Sequence, residues 1–309
     1  MRVLVTGGAG FVGSHVVDRL LADGHRVDVV DNLSTGRRGL VAAAAALHVC
    51  DLRSSRLDSV LSGARPEAIV HVAAQAAVAR SVADPLFDAS VNVLGTIALL
   101  AAGRRWGVGR VVYTSTGGAA YGDTDVLPTP EDHPTNAASP YGVSKIAAER
   151  YLACWAGLTG VSTLTLRPAN VYGPRQDPLG EAGVVAIFTH RLLRGEVCVI
   201  NGDGGQTRDY VYVADVADAV ARALDRPEAR GVVNVGTGLE TSVNELYGKL
   251  ARAAGVSAPP VHAPARPGEQ RRSVLDPGRA KLLLGWTPAT SLEHGLAWTV
   301  AAFKVELHA

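Results

Sequence analysis

Tyr141 and Lys145 stand four residues apart in the stretch NAASPYGVSK, residues 136–145. Ser139 is a favoured N-cap and Pro140 fits the first helical position, so this segment reads as the opening turns of a helix. A spacing of four then puts the phenol and the ammonium on one face, within reach of a common target. Upstream, VVYTSTGGAAYG closes an apolar, β-branched run with Ser115 and Thr116. A hydroxyl, a phenol and an ammonium together can move a proton on and off a substrate hydroxyl. The side-chain hydroxyl orients, the phenol carries the proton, and the positive charge favours the ionised phenol, whose ordinary pKa of about 10 makes it a poor base at neutral pH. Tyr-x-x-x-Lys by itself is a short pattern that an amphipathic helix also produces, so its surroundings decide.

VLVTGGAGFVGSHVVDRLL places Gly7, Gly10 and Gly13 directly after one β-like run and at the start of a helical one. Glycines there permit a tight turn and close approach of a pyrophosphate, while the helix N-terminus offers N–H donors to the phosphates. Asp31 ends the next β-like run about 20 residues after the turn, where a carboxylate accepts hydrogen bonds from an adenosine ribose. It would also repel a 2′-phosphate, which favours NAD over NADP. Asp51, in VCDL, is a second candidate, facing the adenine, although a plain strand-end aspartate fits the same position. With a nicotinamide in the site, Lys145 would also hydrogen-bond its ribose. Tyr141 would take a proton from a sugar hydroxyl as hydride leaves the same carbon, with Thr116 or Ser115 orienting that hydroxyl.

Positioning these groups requires βαβ units. RVLVT (Arg2 to Thr6), RVDVVD (Arg26 to Asp31), AIVHVAA (Ala68 to Ala74), RVVYTS (Arg110 to Ser115) and VSTLTLRP (Val161 to Pro168) read as strands with helical stretches between them. One helix runs from Phe11 to Gly24 and another starts at Asp84, with Pro85 at its first position. The order implies right-handed crossovers and a Rossmann-type doubly wound α/β sheet. After Tyr172 the texture turns to loops such as GPRQDPLGEAG and NGDGGQTRDY. A helix near 215–225, a strand at 231–236 and helices near 242–254 and 291–303 follow. The expected organisation is an NAD-binding domain over residues 1–175, with elements returning from about 209–236, and a smaller substrate lobe over 176–309. Ligands would sit between them at the carboxyl ends of the strands.

Composition narrows the partners. Thirty basic against 29 acidic residues give a net charge of +1, so no nucleic-acid footprint or polybasic membrane anchor is expected, and an anionic ligand must be held locally. Cys50, Cys154 and Cys198 are odd in number and scattered, which argues against a disulfide framework and a zinc site. His71 on its apolar strand reads as a core histidine, and no metal is expected. With no signal peptide and no apolar run of spanning length, a cytoplasmic protein is expected.

These stretches, with VDNLSTG, HVAAQAAVARSVADP, VNVLGT, LRPANVYGPRQ, GDGGQTRDYVYVADV, NVGTG and RPGEQRRS, resemble the extended short-chain dehydrogenase/reductase family over nearly the whole chain. The resemblance is strongest to its UDP-glucose (UDP-galactose) 4-epimerase branch. It implies a resident NAD contacted by Gly7, Gly10, Phe11, Val12, Gly13, Asp31 and Asn32. Asp51, Leu52, Ala73, Ala74, Gln75, Asn92, Tyr141, Lys145 and Pro168 complete that set. It implies a UDP-sugar substrate met by Gln75, Thr116, Tyr141 and Asn170, with Arg208 and Arg266 gripping the diphosphate through their forked donors. Glu269 stands where many relatives have an aspartate and would reach a ribose hydroxyl. Seven residues after Arg266, Ser273 falls at a position where relatives with tyrosine admit only plain hexoses and relatives with a small residue admit an N-acetyl group. Relatives often carry a hydroxyl four residues before the tyrosine of the YG pair, but here that place is Gly117, which leaves the work to Thr116, the preferred candidate, or Ser115. Relatives pair two helices from each subunit, so a homodimer through residues 84–103 and 140–155 is implied.

The expected reaction is NAD-dependent 4-epimerisation of a UDP-hexose through a 4-keto sugar, with N-acetylhexosamines as possible further substrates. A 4,6-dehydratase needs an acid–base pair where Gly117 and Gly118 stand. UDP-glucuronate epimerisation or decarboxylation stays open, because nothing in the sequence says what faces C6. A non-catalytic NAD-binding regulator would be expected to have lost the tyrosine or the lysine.

Overall fold

Short β-branched runs alternating with helices bury both faces of each strand only in a parallel sheet covered on two sides. That is what the chain builds in the computed structural model, which describes residues 1–179, 183–265, 268 and 270–308. The first half runs β1 (Arg2–Thr6), α1 (Phe11–Ala22), β2 (Arg26–Asp31), β3 (Ala46–Val49), α2 (Arg56–Ala64), β4 (Ala68–His71) and α3 (Val78–Ala83). Next come α4 (Pro85–Ala89), α5 (Gly95–Arg105), β5 (Arg110–Thr114), α6 (Pro140–Thr159) and β6 (Ser162–Pro168). The second half continues with β7 (Asn170–Tyr172), α7 (Val184–Leu193), β8 (Val199–Asn201), β9 (Thr207–Arg208), β10 (Tyr210–Tyr212), α8 (Val213–Asp225) and β11 (Gly231–Val235). It closes with β12 (Thr241–Ser242), α9 (Val243–Ala254), β13 (Val261–Ala263), β14 (Arg272–Ser273), α10 (Gly278–Leu284) and α11 (Leu292–His308).

Seven parallel strands in the order β11-β6-β5-β4-β1-β2-β3 form a Rossmann-type doubly wound sheet. Strand order reverses between β1 and β4, and the crevice at their carboxyl ends is where such sheets bind ligands. Helices α1, α8 and α10 with Trp286 cover one face of the sheet, and α2, α5 and α6 cover the other. A separate core joins α7, α9 and α11 around Tyr172, Tyr210 and Tyr212.

The caps lie where the residue types place them. Ser139 accepts from Gly142 N, Asp84 accepts from Phe87 N, and Ser242 forms a capping box with Glu245. Four differences from the sequence reading have physical causes. Strand β4 stops at His71 because the amides of Val72 and Ala73 both turn onto Thr6 O. Helix α1 stops at Ala22, just before Gly24 enters the left-handed region at φ +80°. The strand expected before Asp51, β3, ends already at Val49, a four-residue edge strand paired only to β2. Finally, α4 and α5 join through a π turn at Ser90–Leu94 into one helix, Pro85–Arg105, which is long and apolar enough to cross a membrane by length and composition. It packs instead against α6.

Candidate active site

Helix α6 presents Tyr141, Lys145 and Glu149 at intervals of four toward the end of β5. Lys145 is 2% exposed, its Nζ donates to Thr114 O at 2.6 Å, and the ammonium stands 4.4 Å from the Tyr113 ring centroid. Burial draws its pKa down to about 7, against the opposing fields of Glu149 and Asp88. Tyr141 is half-buried and shares a hydrogen bond with the Thr116 side chain. Burial pushes its phenol up to about 12, with Thr116 acting in the opposite direction. The expected depression of the phenol is therefore not a property of the chain alone: desolvation outweighs it.

Ser115 and Thr116 are adjacent, yet they point to different partners. Ser115 Oγ donates to Glu149 Oε1 at 2.5 Å. That carboxylate is gripped by Arg167, Nη2 to Oε2 at 2.6 Å, with both side chains 5% exposed. Arg167 also donates to Tyr121 Oη at 2.8 Å, and Tyr121 donates to Asn234 Oδ1 at 2.8 Å. Thr116 is left facing Tyr141. Gly117 has no room for a side chain, because a Cβ there would lie 2.3 Å from Leu275 Cδ1 and 3.1 Å from Pro168 O. Thr116→Val is expected to lower turnover by about 10-fold or more, and Ser115→Ala much less. Initial rates of the two variants check this, and equal small losses would remove both hydroxyls from the chemistry.

Around the switch point, the glycine turn is as tight as a dinucleotide cradle requires. Gly7 adopts φ +72°, and a Cβ on Gly13 would lie 2.0 Å from Gly7 O. Helix α1 begins at Phe11 and Val12 with Gly10 as N-cap, no side-chain cap and no acidic residue in its first turn, so its leading amides favour a phosphate. Asp31 closes β2, accepting from Ala9 N at 3.0 Å and Leu33 N at 2.8 Å, which fixes a carboxylate beside that turn. Asn32 donates to Asp51, whose carboxyl Arg53 holds well below the usual range, and Leu52 is buried in the core under α2. These features fit an NAD: a cradle that a Cβ would fill and a carboxylate at the end of β2 fixed to the same turn through Ala9 N.

Ala73 and Ala74 lie on the exit of β4. Gln75 and Asn92 interlock there: Gln75 N donates to Asn92 Oδ1 at 2.8 Å, and Asn92 Nδ2 donates to Gln75 O at 2.9 Å. Pro168 ends β6 and accepts from Gly117 N at 2.8 Å. Among the residues expected to meet the substrate, Asn170 opens β7 and donates its amide to Asp209 O. Arg208 lies in β9 in register with Ser273 of β14, which is buried. Arg266 and Glu269 lie outside the described residues.

Among the described residues, three buried acids beside predicted site residues escaped the sequence reading. Glu149 continues the four-residue interval of Tyr141 and Lys145, a visible signal. Asp88 sits one helical turn before Asn92. Asp209 follows Arg208 and accepts from Thr237 N, Thr237 Oγ1, Gly238 N and Leu275 N. Its carboxylate knots the β9–β10 corner to segments far along the chain.

A family model described as the NAD dependent epimerase/dehydratase family matches residues 3–236. A UDP-glucose 4-epimerase of Mycolicibacterium smegmatis is 50% identical, covering 98% of this chain and 99% of its own. The crystal structure of the Thermotoga maritima UDP-glucose 4-epimerase with UDP-glucose superposes with a TM-score of 0.96 at 47% identity, covering 99% of this chain and 100% of that one. The Thermus thermophilus UDP-glucose 4-epimerase in complex with NAD gives 0.93 at 45% identity, covering 98% and 99%.

Proposed function

The chain belongs to the NAD dependent epimerase/dehydratase family, and from that premise we propose how its own residues interconvert UDP-glucose and UDP-galactose. It is an enzyme, and the reaction is NAD-dependent 4-epimerisation of a UDP-hexose. The observation supporting the assignment of roles is the meeting of Thr116 with Tyr141 beside the buried Lys145, at the carboxyl end of β5. Held by the glycine turn and Asp31, NAD would supply reversible hydride acceptance from C4, with no net redox change. Tyr141 accepts the proton of the C4 hydroxyl and gives it back, Thr116 orients that hydroxyl, and Lys145 supplies the positive charge that favours the ionised phenol. The 4-keto sugar must turn over between departure and return of the hydride. Firm grip therefore belongs at the UDP end, the task we assign to Arg208, Arg266 and Asn170, with residues 1–175 serving mainly the cofactor and 176–309 mainly the UDP-sugar.

The test is direct. Denaturing the purified protein should release NAD, and the native protein should convert UDP-galactose without added cofactor. Release of NAD without turnover would leave a binding protein, not an epimerase.

Ser273 carries the finer reading of the substrate. Its register beside Arg208 supports a place along the bound UDP-sugar, and a hydroxymethyl side chain excludes far less volume than a phenol ring. UDP-N-acetylglucosamine should therefore be converted as well, and Ser273→Tyr should suppress that substrate alone. A wild-type enzyme inert toward it at millimolar concentration removes the assignment of Ser273. We also propose a homodimer in the cytoplasm. Leu86 is 84% exposed on α4, and Val143, Tyr151 and Leu158 are exposed on α6, an apolar face that a second copy would cover. Light scattering reads the stoichiometry, and a monomer removes that proposal.

A further inference from the structure

Asp88 is 1% exposed on α4, which packs against α6. Of the two buried carboxylates whose fields reach Lys145, Glu149 is neutralised by Arg167. Asp88 has no cationic contact among the described residues: its side-chain hydrogen bonds come from neutral amides, Gln75 Nε2 at 2.9 Å and Asn92 Nδ2 at 3.2 Å, both to Oδ1. Lys145 likewise makes no ion pair among those residues, its ammonium resting on Thr114 O. One side chain links the two. Asn92 Nδ2 reaches Asp88 Oδ1 and also the Ser144 hydroxyl at 3.0 Å, one residue before Lys145, and Ser144 Oγ donates to Tyr141 O at 3.0 Å. An isolated buried carboxylate and an isolated buried ammonium are each costly, but in one low-dielectric region opposite charges attract over longer distances than they do in water.

We propose that Asp88 is a positioning residue for the reaction: its charge is the counter-charge of Lys145, and its Oδ1 holds the Gln75 segment and Asn92 against α6 so that the ammonium stays beside Tyr141. Only the kinetic arm of the test rests on the roles proposed for Tyr141 and Lys145.

Asp88→Asn keeps an Oδ1 acceptor for both amides, removes the charge and puts an NH2 where Oδ2 stood. The titratable and charged groups around this charge are Lys145, Tyr141 and Glu149 on α6, Tyr113 on β5 and His71 on β4. The Asp88 anion favours the protonated forms of Tyr141 and Lys145, so its loss should move the limb of the kcat–pH profile set by that pair to lower pH, by about half a unit or more. A merely structural role leaves the limb in place. The second arm needs no turnover and compares thermal unfolding of Asp88→Asn in wild-type and Lys145→Met backgrounds at saturating NAD. The substitution should lower Tm while Lys145 is present and raise it when methionine stands there, because the second change then removes a lone buried charge. Equal shifts in both backgrounds overturn the counter-charge. If Asp88→Asn alone does not fold, recovery in the double variant supports the proposal, and failure to recover overturns it. An unshifted limb with the Tm inversion intact keeps the counter-charge and removes the Tyr141–Lys145 pair as the source of the limb, so the two readings fail separately.

Discussion

Tyr141→Phe is expected to keep the fold and the bound NAD while turnover of UDP-galactose falls by at least about 10²-fold, the scale of losing a positioned acid–base group. Phenylalanine fills nearly the same volume in the first turn of α6, so the change is confined to the oxygen that meets Thr116. The phenol is held protonated by burial, with a pKa pushed up to about 12, and at neutral pH it cannot act as a base unaided. Its work must therefore be drawn out by positive charge in the loaded site, to which Lys145 contributes. Initial rates, with the NAD released on denaturation measured in parallel, check the expectation. A variant that turns over near the wild-type rate would take Tyr141 out of the mechanism, and one that lost NAD would make its role structural.

Glu149→Gln should be the most damaging change to stability among the site's supporting residues, at about 3–5 kcal/mol, because it strands the buried guanidinium of Arg167. Arg167 reaches Glu149 through both Nε, at 3.0 Å, and Nη2, and this fork braces α6 against β6. The carboxylate also receives Ser115, so the loss would loosen the turn that carries Thr116. Replacing both partners by methionine removes both charges and should recover much of the deficit, since the cost of a broken buried pair lies chiefly in the charge left alone. Urea unfolding of the single and double variants measures it. A Glu149→Gln protein within about 0.5 kcal/mol of the parent would show that the pair does not brace this region.

Local signals in the sequence located what local chemistry decides. Ser139–Pro140, Asp84–Pro85 and Ser242 with Glu245 announce helix starts because the capping partner lies three residues away. Central strands announce themselves because burial on both faces demands continuous apolar, β-branched runs. Strand β3 is an edge strand with one neighbour, so its composition is under no such demand, and within the alanine-rich stretch its end before Asp51 is legible while its start is not. The tiny strands β8, β9, β13 and β14 exist only through partners dozens of residues away, a relation no window of sequence contains. The same limit applied within the candidate site. Tyr141, Lys145, Ser115 and Thr116 were legible as a set, but the choice between the two hydroxyls depends on Glu149 and Arg167, which packing alone brings to Ser115.

Leu275 has a consequence for motion. Its side chain fills the space above Gly117 and lies within 3.1 Å of where a Cβ on Gly236 would stand, while its amide donates to Asp209 and its neighbours Val274 and Asp276 exchange backbone hydrogen bonds with Thr129. The segment that carries Ser273 is thus keyed against the ends of β5 and β11 as a leucine peg in two glycine sockets. Pulling it out means breaking a buried apolar contact and several hydrogen bonds of backbone amides at once, an opening that belongs to slow sub-global unfolding and not to loop fluctuation. Amide protons of residues 273–276 should consequently rank among the slowest to exchange in the C-terminal half. With Ser273 in the place proposed for it along the UDP-sugar, the clearance left for a C2 substituent would be fixed before the sugar nucleotide arrives.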